Sequence, residues 1–211
     1  MNKPLSGLYA VTPELVDSIV LMRKVDAALR GGARVIQYRS KFIAESLRRS
    51  QAGEIANLCR RRNALFIVND SVELACAVDA DGVHLGRDDR GVPAVRTMLG
   101  PGKLIGVSCY NEISRAREAV SQGADYVAFG SFFASSTKPG ALRAGTELLQ
   151  SAAAEFALPL VAIGGITEDN AAQLIAAGAD ALAVLSGLFD AIDVEAQARR
   201  FTRLFQMPVD S

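Results

Sequence analysis

The sequence is poor in the residues on which several classes of protein depend. It has no Trp, a single histidine, His84, and only three cysteines, Cys59, Cys76 and Cys109. One histidine cannot build a histidine-rich metal site, and it argues against a Ser-His-Asp hydrolase. Separated cysteines without a CxxC pair argue against structural disulfides and zinc. They are typical of small buried side chains in the reducing cytoplasm.

Neither sign of charge is in excess, because 23 Lys and Arg residues balance 23 Asp and Glu residues. There is no basic tail or Lys/Arg block, so we expect no nucleic-acid partner and only a few placed cations to bind phosphate. No apolar run is long enough to span a bilayer, and the first residues lead into a strand pattern without the apolar stretch of a signal peptide. We therefore expect a cytoplasmic protein without membrane contact that acts on small molecules, and a homo-oligomer stays open.

The apolar residues form a repeated pattern of strands and helices. Half of the 211 residues are apolar, which suffices for a sizeable core. Eight short runs alternate with segments that have helical spacing: GLYAVT, RVIQYR, ALFIVN, GVHLG, LIGVSC, YVAFG, LPLVAIGG and ALAVLSG. Nearly continuous apolar strands are typical of a parallel sheet covered by helices. Eight such units without a linker favour a single (β/α)₈ TIM barrel over residues 1–211 rather than a doubly wound sheet.

Polar residues follow the predicted strands, at the face where barrel enzymes carry their chemistry. Carboxylates at Asp70 and Asp89 are ligands that Mg²⁺ prefers, and protein-bound Mg²⁺ usually also binds substrate phosphates. The cations Arg39, Lys41 and Lys138 would suit a diphosphate on that metal. The rim is predicted to gather Gln37, Arg39, Lys41, Asn69, Asp70, Asp89, Ser108, Lys138, Gly165 and Ser186.

Several of these residues also have purely structural explanations. Asp70 with Glu73 three positions later fits a helix capping box, and Asp88-Asp89 likewise fit the start of the next helix, before Gly91-Val92-Pro93. Strand alternation sends Gln37, Arg39 and Lys41 to the lumen side, where an internal ion pair with Asp70 would account for the cations as well as a ligand would. For His84, a barrel-lining hydrogen bonder is favoured over a general base, and Cys109 is interpreted as packing.

Two later segments favour phosphate binding. The loop GSFFASSTKPG offers the hydroxyls of Ser135 and Thr137 beside Lys138, and long loops on a rigid scaffold are often functional. The Gly pair at 164–165 and the segment Leu185-Ser186 follow strands 7 and 8. Barrels often bind a phosphate there, through loop amides and the start of a short extra helix.

Seven ordered motifs, VIQYRSK, FIVND, GVHLGRDD, IGVSCYN, SSTKPGA, AIGGIT and AVLSG, resemble the thiamine-phosphate synthase family over nearly the whole chain. The resemblance implies a (β/α)₈ transferase with a Mg²⁺ cofactor. Such an enzyme joins 4-amino-2-methyl-5-(diphosphooxymethyl)pyrimidine to 4-methyl-5-(2-phosphooxyethyl)thiazole and releases diphosphate by a dissociative displacement. A thiazole tautomerase of the same fold and a non-catalytic phosphate-ligand sensor remain the alternatives.

The resemblance also implies roles for individual residues. Asp70 and Asp89 would hold the metal, with Arg39, Lys41, Lys138 and Ser108 as the catalytic groups. The pyrimidine diphosphate would contact Gln37, Arg39, Lys41, Asn69, Ser108 and Lys138. The thiazole phosphate would contact Ser135, Thr137, Gly165, Leu185 and Ser186. The family usually has Pro and Thr where Ala134 and Ser135 stand, and Gln where Arg87 stands. Arg87 is expected to add a cation near Asp89 that would weaken or reposition the metal.

Overall fold

The computed structural model describes residues 5–134 and 143–206. Eight parallel strands form a closed barrel in sequence order, and the last strand pairs with the first. The strands are β1 (Gly7–Val11), β2 (Val35–Tyr38), β3 (Leu65–Asn69), β4 (Gly82–Leu85), β5 (Leu104–Tyr110), β6 (Tyr126–Phe129), β7 (Leu160–Ile163) and β8 (Ala181–Val184). The predicted (β/α)₈ barrel is confirmed.

Helices follow the strands along the chain and cover the barrel. They are α1 (Ser18–Arg30), α2 (Glu45–Arg62), α3 (Val72–Ala77), α4 (Val92–Leu99), α5 (Ile113–Ser121), α6 (Thr146–Glu155), α7 (Glu168–Ala176), α8 (Ser186–Phe189) and α9 (Val194–Leu204). Among the described residues, no helix has the length and apolarity needed to cross a bilayer.

The first residues of α3 and α4 show whether Asp70 and Asp89 cap these helices or are available as ligands at the rim. The cap of α3 is Ser71, whose hydroxyl accepts the Leu74 N–H at 3.2 Å, so Asp70 is not the capping residue. Helix α4 begins after Gly91 without a side-chain cap, so Asp89 does not cap it. Both carboxylates are therefore left for the rim of the barrel.

Acidic residues precede alternate strands, as Asp81 before β4, Asp125 before β6 and Asp180 before β8. The carboxylate of Asp125 accepts the N–H of Ile105 at 2.7 Å, and Asp180 does the same for Leu160 at 2.8 Å. Asp81 accepts the N–H of Phe66 at 2.8 Å. Each carboxylate thus provides a hydrogen-bond acceptor for a backbone N–H near the start of the preceding strand.

The apolar core has two layers, set by strand alternation. One lies between the strands and the helices, and it is the larger. The other fills the lumen with Tyr9, Val11, Val35, Leu65, Ile67, Tyr126, Ala128, Val161, Ala181 and Ala183 among others. The lumen below the rim is therefore packed with side chains, as expected for a barrel of this kind.

The first and last units of the chain close the structure together. Strand β1 pairs with β8, and α1 packs against α9. At the end of α1, a Cβ on Gly31 would overlap the Cβ of Ala198 on α9. Only a glycine allows the two helices to approach so closely at this point.

Candidate active site

A continuous chain of hydrogen bonds crosses the lumen beneath the rim; we call it the floor chain. Gln37 Nε2 donates to the Tyr9 hydroxyl at 2.8 Å, and the hydroxyls of Tyr9 and Tyr126 are 3.0 Å apart. The Tyr126 hydroxyl lies 3.0 Å from His84 Nδ1, and His84 Nε2 lies 2.9 Å from Ser108 Oγ. The floor chain therefore joins Gln37 to Ser108 and confirms His84 as a barrel-lining hydrogen bonder.

The two phenols of the floor chain are fully neutral groups. Burial raises the pKa of Tyr126 well above its ordinary value, and burial likewise raises that of Tyr9 against the opposing effect of its hydrogen bonds. Desolvation disfavours the phenolate, so both hydroxyls keep their protons at neutral pH. Gln37 is buried at 5% exposure and His84 at 8%. The floor is thus polar and buried, with both phenols protonated.

Asp70 and Asp89 converge at the carboxyl end of β4. Asp89 Oδ2 accepts the N–H of Gly86 at 2.6 Å. The position that a Cβ on Gly86 would take lies 3.2 Å from Asp89 Oδ2 and 4.0 Å from Asp70 Oδ1. Burial and then the charge of Asp89 raise the pKa of Asp70, and Lys41 offsets part of this shift. Two carboxylates held this close favour a cation between them.

The pair of carboxylates fits Mg²⁺ by its chemistry. The described part of the chain contains no group of three or more His, Cys, Asp or Glu side chains that could enclose a metal. Mg²⁺ does not need such a cage, since it is usually bound by one or two carboxylates together with waters and substrate phosphates. Asp70 has φ +61°, a left-handed conformation that Asp tolerates better than most residues.

Lys41 faces this carboxylate pair, with its Nζ 3.6 Å from Asp70 Oδ2 and its side chain 46% exposed. The ion pair considered from the sequence therefore exists. A half-exposed pair of this kind contributes little to stability, so the lysine remains available to an anion. Asn69 is the last residue of β3 and pairs in register with His84 on β4. It directly precedes Asp70 in the sequence.

Strand alternation predicts the direction of side chains only as far as Tyr38, because β2 ends there. Gln37 and Tyr38 do alternate: Gln37 contacts Tyr9 in the lumen, and the Tyr38 hydroxyl donates outward to Gln51 on α2 at 2.8 Å. Arg39 and Lys41 instead lie in the following loop. There the Arg39 N–H donates to Thr12 Oγ1 at 3.0 Å, so the loop rather than the strand sets their positions.

Glu14 holds this loop and was not singled out in the sequence. Its Oε1 accepts the backbone N–H groups of Lys41 at 2.8 Å and Phe42 at 2.5 Å. Burial works to raise the pKa of Glu14, but these two N–H groups, with Arg39 and Ser40, outweigh it and lower the pKa. The sequence gives no sign of this role, because Glu14 lies in the loop between β1 and α1 while its partners follow β2.

Arg115 was also missed, and it links two strand ends of the site. Its Nε donates to the Ser108 carbonyl at 2.8 Å, and a terminal nitrogen donates to the Gly86 carbonyl at 3.0 Å. Ser108 is the last residue of the floor chain, and Gly86 is the residue whose N–H donates to Asp89. Arg115 thus fixes the spacing between the carboxylate pair and the pocket floor.

Arg87 has partners on the following unit. Its guanidinium lies 2.5 Å from Glu112 Oε1 and 4.8 Å from the centroid of the Tyr110 ring. The positive charge is therefore paired with Glu112 and stacked on an aromatic ring. Cys109 agrees with its interpretation as packing, because burial raises the pKa of its thiol to about 12 and it stays protonated.

The residues proposed for the second phosphate lie at the ends of β7 and β8. Gly164 and Gly165 have φ +105° and +64°, and the Gly165 carbonyl accepts Asn170 Nδ2 at 3.0 Å. Leu185 precedes the short helix α8, which begins at Ser186. The short extra helix after strand 8 is thus present. Ser135, Thr137 and Lys138 lie outside the described residues.

Comparison with known proteins gives a consistent picture over nearly the whole chain. The family model described as thiamine monophosphate synthase matches residues 8–188. The thiamine-phosphate synthase of Methylobacillus flagellatus is 54% identical over 96% of this chain and 96% of its own length. That of Aromatoleum aromaticum is 55% identical over 95% and 97%.

A solved structure agrees with these sequence matches. Thiamine phosphate pyrophosphorylase from Pyrococcus furiosus superposes with a TM-score of 0.85 at 35% identity and covers 95% of each chain. Fold and overall length therefore agree. This chain belongs to the thiamine monophosphate synthase family.

Proposed function

We propose that this protein is a thiamine-phosphate synthase, which couples the pyrimidine diphosphate and the thiazole phosphate named above to give thiamine phosphate and diphosphate. The observation that carries the proposal is the convergence of Asp70, Asp89 and Lys41 at the strand ends of a barrel whose lumen holds a polar floor. Carboxylates for a metal and a cation for phosphate thus stand next to a pocket suited to an uncharged ring.

Asp70 and Asp89 would hold the metal ion. Mg²⁺, when bound there with the diphosphate, would neutralise negative charge on the leaving group. The raised pKa of Asp70 supports this role, because the ionised carboxylate pair is destabilised until a cation joins it. The outward exposure of the Lys41 side chain supports a contact with the same diphosphate.

The reaction would proceed by a dissociative displacement. The bond between the pyrimidylmethyl carbon and the diphosphate oxygen breaks, and its electron pair leaves with the diphosphate. The lone pair of the thiazole nitrogen then forms the new C–N bond. Arg39, Lys41 and Lys138 would stabilise the charge that grows on the leaving group, the kind of electrostatic term that usually dominates catalysis.

The remaining family positions would bind and orient the two substrates. Gln37, Asn69 and Ser108 would contact the pyrimidine diphosphate, with Ser108 at the end of the floor chain. Ser135, Thr137, Gly165, Leu185 and Ser186 would hold the thiazole phosphate and align its ring nitrogen, which lowers the entropic cost of attack. No general base is needed.

We also propose that the protein acts in the cytoplasm, without nucleic-acid or membrane partners. Its cysteines are free thiols in the described chain, as expected in a reducing compartment. The balanced charge leaves no net positive charge to attract nucleic acid. A homo-oligomer stays open and is tested by light scattering.

The coupling reaction itself tests the proposed function. Purified protein is incubated with both substrates and Mg²⁺, and thiamine phosphate is identified by mass spectrometry while diphosphate release is measured. Isomerisation of a thiazole without diphosphate release would indicate the tautomerase. Substrate binding without any turnover would indicate the sensor, and either result would contradict the proposal.

A further inference from the structure

We propose that Glu112 is a positioning residue: it binds the guanidinium of Arg87, which would otherwise pair with Asp89, and so keeps the metal site open to a divalent cation. The inference rests on the proposed function, which supplies the metal ion. The contacts of Arg87 and Glu112 are a property of the described residues.

Arg87 lies in the same loop as Asp89, between β4 and α4. Asp89 Oδ2 accepts the N–H of Gly86 at 2.6 Å, so the carboxylate turns back toward the start of this loop. Gly86 and Arg87 are consecutive residues, with Cα atoms about 3.8 Å apart. The Asp89 carboxylate is therefore within reach of a long side chain that begins at residue 87. A guanidinium placed there would bind the carboxylate, and the metal would have to displace it.

Two groups on the next unit hold the guanidinium instead. Glu112 Oε1 lies 2.5 Å from a terminal nitrogen of Arg87, and the centroid of the Tyr110 ring lies 4.8 Å from its central carbon. The side chains of Arg87 and Glu112 are 50% and 43% exposed, and an exposed ion pair alone is weak. The aromatic ring adds a cation–π contact to the same group. The two contacts share one side-chain conformation, so the second costs little further entropy.

The turn between β5 and α5 presents both partners to Arg87. Tyr110 has φ +54°, lies where the pairing of β5 with β6 is irregular, and is fixed by the N–H of Gly130, which donates to its carbonyl at 2.9 Å. Glu112 directly precedes α5, but its side chain makes no capping hydrogen bond to that helix. The Glu112 carboxylate is thus not used by its own helix and is available to Arg87.

The balance of charge at the metal site shows why this pairing matters. The carboxylates of Asp70 and Asp89 with the ammonium of Lys41, 3.6 Å from Asp70, leave one net negative charge to attract a cation. Arg87 does not alter this balance while Glu112 neutralises it. An unpaired Arg87 beside Asp89 would cancel the remaining negative charge, and the electrostatic attraction for a divalent ion would fall.

Two conservative variants separate this role from simple anchoring of the loop. Glu112→Gln removes the negative charge and keeps the size of the side chain, and Arg87→Gln removes the cation. If Glu112 acts by binding Arg87, its replacement weakens metal binding only while Arg87 is present. If the pair merely anchors the loop, either single variant weakens metal binding, and the double variant does so at least as much.

The measurement is the dissociation constant of Mn²⁺ without substrate, from the electron paramagnetic resonance of the free ion. Mn²⁺ takes the same oxygen ligands as Mg²⁺. We expect Glu112→Gln to bind Mn²⁺ about fivefold more weakly, the effect of one charge about 4 Å away in water. Arg87→Gln and the double variant should stay within about twofold of the wild type, since distant exposed charges are screened.

Glu118→Gln is the matched control for the loss of a negative charge from α5. Glu118 is exposed, and its carboxylate accepts Gln122 Nε2 at 3.1 Å within the same stretch of chain. We expect its affinity for Mn²⁺ to stay within about twofold of the wild type. A loss equal to that of Glu112→Gln would mean that any lost carboxylate on this helix has the same effect, and it would overturn the inference.

Three further results would overturn the inference. A double variant that binds Mn²⁺ as weakly as Glu112→Gln would show that Arg87 does not compete with the metal. A loss of affinity in Arg87→Gln alone would show that the pair anchors the loop. A wild type that does not bind Mn²⁺ would leave Glu112 nothing to protect. Failure of the proposed function looks different, because the expected differences in Mn²⁺ affinity would then appear in a protein that forms no thiamine phosphate.

Discussion

Gly106 and Tyr126 are opposite each other on β5 and β6, and the phenol ring of Tyr126 fills the space in which a side chain at position 106 would project. A Cβ on Gly106 would overlap three atoms of that ring, Cζ, Cε1 and Cε2. The absence of a side chain at one position therefore allows the central residue of the floor chain to lie across the lumen.

Gly106→Ala should displace the Tyr126 ring and disturb the floor chain. We expect a loss of about 1–3 kcal/mol in the free energy of unfolding, the usual cost of overpacking a core, together with weaker binding of the pyrimidine diphosphate. Urea denaturation and calorimetry measure the two effects. The control is Gly53→Ala on α2, where a Cβ meets no atom within 4 Å and a gain of about 0.5–1 kcal/mol is expected. A Gly106→Ala protein with wild-type stability and affinity would contradict this account of the ring.

Asp70→Asn should stabilise the metal-free protein and inactivate it. The raised pKa of Asp70 means that its charge is unfavourable in the folded state, and Asn tolerates the positive φ of this position. We expect the thermal midpoint without Mg²⁺ to rise, by the equivalent of about 0.5–1 kcal/mol. Added Mg²⁺ should raise the midpoint of the wild type but leave that of Asp70→Asn unchanged. An equal response of both proteins to Mg²⁺ would remove Asp70 from the metal site.

Arg115→Leu should weaken Mg²⁺ binding without any loss of a metal ligand. The guanidinium holds the carbonyls of Gly86 and Ser108, and residues that orient metal ligands contribute about 10–100-fold in affinity. We therefore expect the Mg²⁺ concentration for half-maximal rate to rise by about tenfold. Arg117→Leu on the same helix is the matched control, because the exposed Arg117 guanidinium donates to Glu155 on α6. A similar shift in both variants would point to a general effect on α5.

Glu14→Gln should remove an acid-sensitive contribution to stability. The folded protein lowers the pKa of Glu14 below its ordinary value of 4.5, so ionised Glu14 stabilises the fold above that pH. This contribution is lost as the pH falls from 4.5 through the lower folded-state pKa. The difference in unfolding free energy between wild type and Glu14→Gln should therefore be largest near neutral pH and vanish in acid. Glu54→Gln serves as the control, and a difference that does not change with pH would exclude this role for Glu14.

The barrel and its active face could be predicted from the sequence because both depend on local periodicity. Apolar runs and helix spacing repeat eight times, and the topology then places every strand end on one rim. The convergence of Asp70, Asp89 and Lys41 could be predicted in this way, since polar residues that follow an apolar run are visible in the sequence.

The supporting residues could not be predicted, because their roles depend on contacts between distant units. Tyr9 and Tyr126 stand within apolar runs and look like core residues, although their hydroxyls meet across the lumen. Glu14 and Arg115 look like ordinary surface charges. The contacts of Arg87 with Glu112 and Tyr110 on the next unit give no sequence signal either.

The closure of β1 onto β8 and of α1 onto α9 has a consequence for biosynthesis. The ribosome releases the first unit long before the last one exists, so the nascent β1 edge has no second neighbour while most of the chain is made. Contacts between the two ends are the most distant in sequence, and such contacts slow folding. Final closure must therefore follow release of α9, and until then the unpaired apolar edge is a natural target for chaperones.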